Sequence, residues 1–104
     1  VTLRLAAAFA IAAQLKARQL KEQGILRWTA DDPDCPDLMR LAALGEEYGE
    51  VCRALHDDDR AQLALELAQL AGVALAWLKY ERERVDYPAG AASSRRGTDC
   101  RKVA

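Results

Sequence analysis

Apolar side chains recur at helical spacing along most of this chain. Between residues 3 and 23 there is no Pro or Gly, and Leu5, Phe9, Ala12, Leu15 and Leu20 lie along one side, which predicts a first helix that stops at Gly24. Residues 25–36 hold Trp28, the acidic run Asp31, Asp32, Pro33, Asp34 and a second proline, Pro36, a composition that predicts a connecting loop. A second helix, capped by Asp34 or Asp37, is expected to run to Leu55 or His56. Its core stripe is expected at Leu38, Leu41, Leu44 or Gly45, Tyr48, Val51 and Leu55. After the break at His56, Asp57, Asp58 and Asp59, one of these aspartates is expected to cap a third helix from near Arg60 to about Val85. The buried side of that helix is expected to carry Leu63, Leu67, Leu70, Ala74 and Trp77 or Leu78. A short turn between two amphipathic helices makes them antiparallel neighbours, so the expected fold is all-α, an antiparallel helical bundle of three long helices. Residues 1–85 make one domain. From residue 86 on, Pro88, Gly90, Ser93, Ser94, Arg95, Arg96 and Gly97 replace the apolar pattern, and a flexible tail is expected over residues 86–104.

Composition agrees with that pattern: apolar residues make up 51% of the 104, Phe occurs once, and the excess lies in helix-forming Ala and Leu. A domain of this size buries a modest core, so self-association into a homodimer or homotetramer is expected to complete a four-helix type of packing. The formal net charge of −1 gives no electrostatic footprint for a nucleic acid polymer. The cysteines, Cys35, Cys52 and Cys100, form no CxxC pair, which indicates neither a disulfide framework nor a thiolate zinc site and fits a cytoplasmic protein. Arg4 followed by Leu5 to Ala13 imitates a short signal peptide, but the helical pattern continues unbroken into Lys16, Arg18, Lys21 and Glu22. No apolar run is expected to approach the ~20 residues that span a bilayer, so no membrane partner is expected.

The charges within the second and third helices are less ordinary. Glu46, Glu47 and Glu50 fall within about one helical turn, where like charges three and four residues apart destabilise an isolated helix by roughly 0.2 to 0.5 kcal/mol per pair. Glu66 lies between Leu65 and Leu67, with Gln69 three residues on. Packed antiparallel, Glu66 and Gln69 would face Glu47 and Glu50 and form a cluster of hard oxygen ligands suited to Mg²⁺ or Mn²⁺. The competing reading is a solvated acidic face paired with Lys or Arg of the first helix.

The run Glu46-Glu47-Tyr48-Gly49-Glu50, fifteen intervening residues, and Glu66 in Leu65-Glu66-Leu67-Ala68-Gln69-Leu70 resemble the EExxE and ExxD signature of the MazG-like all-alpha nucleoside triphosphate pyrophosphohydrolases. The resemblance covers residues 38 to 80, including the small residues Gly45 and Gly49. It implies Mg²⁺-dependent cleavage of a (deoxy)nucleoside triphosphate to monophosphate and pyrophosphate, a nucleotide-pool house-cleaning activity, in a helical dimer or tetramer. By position, Glu47, Glu50 and Glu66 would be metal ligands, and Glu46 would hold a further ion or orient water. Gln69 stands where the signature has Asp; its amide oxygen can ligate a hard cation but carries no charge. The alternative is a catalytically weak or inactive helical module of the same type that binds nucleotide or a protein partner.

For the substrate, Trp28 can stack on a base or anchor its loop in the core. Lys16, Arg18 and Lys21 on the first helix, and Lys79 and Arg82 on the third, can neutralise phosphate oxygens or remain solvated; Lys16, Lys21 and Lys79 are the candidates retained. His56 suits a helix C-terminus. No nucleophile elbow or glycine-rich phosphate loop is present in the sequence.

Overall fold

The computed structural model describes residues 1–86, so the expected tail falls outside the described residues apart from Asp86. Three helices follow one another, α1 (Leu3–Glu22), α2 (Asp37–His56) and α3 (Arg60–Asp86), with no strand among the described residues. The expected all-α, three-helix bundle is therefore present.

Local chemistry sets most boundaries. The Thr2 hydroxyl accepts from the Leu5 N–H at 3.1 Å and starts α1. At its end Gly24, at φ 79°, donates to the Lys21 carbonyl while Ile25 donates to Leu20. That paired closure requires a left-handed residue, which is why glycine stands there. The same closure ends α2 at Asp58, at φ 51°, with Asp58 N–H on Leu55 and Asp59 N–H on Ala54. Asp59 then caps α3, its carboxylate accepting from Gln62 N–H at 3.0 Å.

The start of α2 differs from expectation. Its flanking residue is Pro36, and no side chain caps it. Asp34 lies in the loop, where its own N–H donates to the Asp32 carboxylate at 3.0 Å, and Asp37 is already inside the first turn. There its charge faces the positive end of the helix dipole instead of capping an N–H.

Helix α3 packs against both α1 and α2, which do not pack on each other. Its approach to α1 is close: a Cβ placed on Gly72 would lie 2.7 Å from the Ala10 carbonyl oxygen, a backbone atom that cannot swing aside. Gly72→Ala is expected to destabilise the protein by about 1 to 2 kcal/mol, net of alanine's better helix propensity. A downward shift of the urea midpoint checks it.

The expected core stripes are not buried. Leu38, Leu41, Tyr48 and Leu55 of α2 are all more than half exposed, as are Phe9 and Leu15 of α1, and Leu67 and Leu78 of α3 are 46% and 55% exposed. Ala12 and Ala74 are exposed as well; Leu44, Val51, Leu63, Leu70 and Trp77 are half-buried. The buried apolar residues are Ala10, Ala30, Cys35, Ala54 and Ala76, accompanied by Thr29, Arg40 and Glu66. Periodicity identifies which residues share a face, but not which face turns inward. In α2 the inward side carries Arg40, Ala43, Leu44, Glu47, Glu50, Val51 and Ala54, so the expected stripe contributes Leu44 and Val51 to it, and the alanines let the backbones approach. An 18-residue window of α3 is also long and apolar enough to cross a membrane by length and composition, contrary to the sequence expectation. Only 17% of that window is buried, so packing against α1 and α2 accounts for a small part of its apolar character.

Candidate functional site

A cleft of about 670 Å³ opens between α1, the loop after it and α2, with α3 as its floor. Trp28 and Leu26 of the loop lie along one part of its wall, Lys16 and Gln14 of α1 along another, and Glu46, Glu47 and Gln69 along a third.

The loop that forms part of this wall is fastened from all three helices. Arg40 of α2, 2% exposed, donates through Nε to the Ala30 carbonyl at 2.8 Å and through its two terminal nitrogens to Asp37 and to the Asp32 carbonyl, each at 2.7 Å. Its guanidinium lies 3.8 Å from the centre of the Tyr80 ring of α3. From α1, Arg18 pairs with Asp31 at 2.6 Å and Lys21 pairs with Asp32; from α3, Lys79 reaches Asp31 at 3.7 Å. Desolvation works against the charge on Asp31, but the Thr29 hydroxyl, Arg18 and Lys79 outweigh it and hold the carboxyl below the usual range. The Lys21 hydrogen bond does the same for Asp32. These residues enclose a separate polar hollow of about 280 Å³. The structure thus places Lys21 and Lys79 at the loop's ion pairs, whereas Lys16 lines the main cleft.

The acidic residues gather where α2 meets α3. One oxygen of Glu47, Oε2, is buried with no hydrogen-bond partner among the described residues. Loss of water, then the charges of Glu66, Glu46 and Glu50, pushes the Glu47 carboxyl above the usual glutamate range. Glu66 is 7% exposed and accepts from Gln62 Nε2 at 2.9 Å. Glu50 lies 3.5 Å from Arg53, its neighbour on the same helix. Among the described residues no Lys or Arg pairs with Glu46, Glu47 or Glu66. Pairing with Lys or Arg of the first helix is thus not seen among the described residues, and of the three only Glu46 lies on an exposed face.

An unpartnered buried carboxylate oxygen among like charges is what a cation would relieve, and carboxylates with one amide oxygen suit a hard divalent ion. In the same structure no three His, Cys, Asp or Glu side chains of the described residues converge at ligand spacing. The acids are gathered around Glu47 without being drawn into a closed cage.

Trp28 is half-buried, and the Arg27 guanidinium lies 4.6 Å from its ring centre, so one face of the indole already carries a cation. Trp77 donates to Glu81 at 3.1 Å on its own helix. His56 ends α2 beside Asp57 at 3.2 Å. Sequence reasoning passed over Arg40, Cys35 and Met39, which line the cleft. The signal for Arg40 is its spacing: Arg40, Ala43, Glu47, Glu50 and Ala54 share one helical face, so a helix that turns these glutamates inward turns Arg40 inward with them. No family model, curated protein or solved structure matches this chain.

Proposed function

We propose that the chain is a Mg²⁺-dependent, cytoplasmic nucleotide pyrophosphohydrolase of the MazG-like type, which cleaves a (deoxy)nucleoside triphosphate to monophosphate and pyrophosphate and acts as a homo-oligomer. The observation that carries this reading is the buried, unpartnered Oε2 of Glu47 at the wall of a cleft that also reaches Trp28. A volume near 670 Å³ lies within the range of small-molecule sites. Glu47, Glu50 and Glu66, with the Gln69 amide oxygen, would hold the ion, which supplies positive charge to screen the triphosphate and to activate water. Glu46, exposed at the cleft wall, is the residue available to orient that water or to hold a further ion. The base would lie toward Trp28, stacked on the ring face opposite Arg27, and Lys16 is the cation the cleft offers to the phosphates. Lys21 and Lys79 hold the Trp28 loop through Asp32 and Asp31.

A panel of nucleoside and deoxynucleoside triphosphates with Mg²⁺ or Mn²⁺ is expected to yield pyrophosphate. Glu66→Gln and Glu50→Gln should each lower the rate by about 100-fold or more, the loss expected when one charge-stabilising group is removed. Absence of cleavage across the panel with both metals sinks the hydrolase reading. A second reading, a helical module that binds nucleotide or a protein partner without cleaving, is favoured by Gln69 in place of an acid and by the Glu50 pairing with Arg53. Gln69→Asp separates the two: a silent protein that gains cleavage was a binder, and an active one that barely changes uses the ligands it already has.

A further inference from the structure

Gln62 is an exposed residue in the first turn of α3, yet its amide ends on a buried carboxylate. Asp59 and Gln62 have the spacing of a reciprocal helix cap, in which the later side chain reaches back to the backbone N–H of the earlier residue. Half of that cap is present, because the Asp59 carboxylate accepts from the Gln62 N–H at 3.0 Å. The other half is pre-empted: the Asp59 N–H already donates to the Ala54 carbonyl at 3.0 Å, in the turn that closes α2. The Gln62 side chain is thereby released from capping and runs one turn forward, where Nε2 donates to Glu66 Oε2 at 2.9 Å. An ionised carboxylate only accepts, so the amide presents its NH₂ group there. Among the described residues this is the donor that the 7% exposed Glu66 side chain has, and no Lys or Arg pairs with it.

The kind of partner matters to a cation. A neutral amide holds Glu66 through one oxygen, keeps the full charge of the carboxylate and leaves its second oxygen as a ligand. Glu50 has the opposite arrangement: Arg53, its side chain 72% exposed, stands 3.5 Å away on the same helix, a positive group that an ion has to displace. No three acids among the described residues converge at ligand spacing, so an ion has to order side chains as it binds, each at a cost in conformational entropy. A carboxylate fixed beforehand escapes that cost. Resting on the divalent-ion reading of the cluster given above, we propose that Gln62 is a positioning residue of the metal site, which fixes Glu66 through a neutral hydrogen bond and so raises the affinity of the site for its ion.

The test uses Mn²⁺ alone, titrated into the full 104-residue chain and followed by the electron paramagnetic resonance of the free ion, beside the Tm of each protein without metal. Gln62→Leu keeps most of the bulk and deletes the donor. It is expected to weaken Mn²⁺ binding by about 10- to 100-fold, the loss typical of an outer hydrogen-bond partner of a metal ligand, and to lower Tm. Gln62→Lys separates positioning from structure. An ammonium four residues before a glutamate can still donate to it, so Tm should stay closer to the wild type than in Gln62→Leu, while the added charge should weaken Mn²⁺ binding by about tenfold or more. Arg53→Leu, which removes the cation that opposes the ion, should bind Mn²⁺ as tightly as the wild type or tighter. Wild-type affinity in either Gln62 variant overturns the inference and leaves the metal site standing. An equal loss in Arg53→Leu overturns it too, since that marks a general response to change beside the cluster. A wild-type chain that binds neither Mn²⁺ nor Mg²⁺ overturns both the inference and the metal site.

Discussion

Glu47→Gln is expected to make the protein more stable and, on the proposed function, inactive. The Glu47 carboxylate is desolvated, faces Glu66 with Glu46 and Glu50 nearby, and leaves Oε2 without a donor. A neutral amide of the same shape removes that repulsion and can donate to Glu66. The expected gain at neutral pH without metal is about 1 kcal/mol, an increase in Tm of roughly 4 to 8 °C for a domain of this size. The pH dependence follows from the raised native pKa. The native carboxyl takes up a proton at a pH where the unfolded one does not, so wild-type stability increases as pH falls from neutral toward the ordinary glutamate range. That contribution is fully present below the unfolded pKa and is lost as pH rises through the native one. The Glu47→Gln variant, with no proton to exchange at this position, should show a flatter profile across the same window. Asp31 and Asp32 act in the opposite sense and lower down: their depressed pKa values add stability above the ordinary aspartate range, and it is lost as pH falls through their native values. With Mg²⁺ the order of the two proteins should reverse, because an ion at 100 times its dissociation constant adds about 2.7 kcal/mol to the wild type and nothing to a variant that does not bind it. Differential scanning calorimetry at neutral pH, with and without Mg²⁺, reads both effects. A lower Tm for Glu47→Gln without metal would show that the carboxylate is structurally satisfied after all.

Element boundaries are legible in the sequence wherever a local interaction sets them. Gly24 has to stop α1 because the closing turn needs a positive φ, and an aspartate before Arg60 has to cap α3. The start of α2 is not legible in the same way, because Asp34 has a nearer use, a turn inside its own loop, and a Pro can flank a first turn without any side-chain cap. The core escapes the sequence for a less local reason. Leucine stripes at Leu41 to Leu55 and at Leu67 to Leu78 suggest an inward face because apolar faces usually turn inward. In this chain the inward faces carry Arg40, Glu47 and Glu66 beside alanines, with Leu44, Leu63 and Leu70 half-buried, while Leu41, Leu55, Leu67 and Leu78 are exposed. A helix's own periodicity holds no record of which of its sides meets the rest of the chain. The acidic cluster is legible because it depends on spacing within each helix and on one short turn between them; the cleft is not, because its wall is a loop held by contacts 8 to 13 residues apart in sequence and farther.

The position where that loop depends most on a single side chain is Arg40, and Arg40→Met should destabilise the protein by about 3 kcal/mol or more. Methionine fills much of the same volume but leaves the Ala30 and Asp32 carbonyls without their donors, each costing about 1 to 3 kcal/mol, and removes the cation from the Tyr80 ring. Asp37 loses a partner as well, but its side chain is 68% exposed and water replaces the contact. Arg40→Lys should fall between the two proteins, since an ammonium keeps a charge over Tyr80 but cannot span three acceptors with one planar fork. The damage should be local before it is global. Cys35, a residue of the loop that is 6% exposed and has its thiol pushed up by burial, should alkylate slowly in the wild type and much faster in Arg40→Met, at urea concentrations where circular dichroism still reports folded helices. Equal Cys35 rates in the three proteins, with urea midpoints unchanged, would mean that Arg18, Lys21 and Lys79 suffice to hold the loop without it. The alkylation rate therefore reads one quantity that the midpoint alone does not, the free energy of lifting the Trp28 loop from the cleft. On the proposed function that same quantity limits how well the cleft is formed before a nucleotide arrives, so Arg40→Lys should raise KM for the nucleotide more than it lowers kcat.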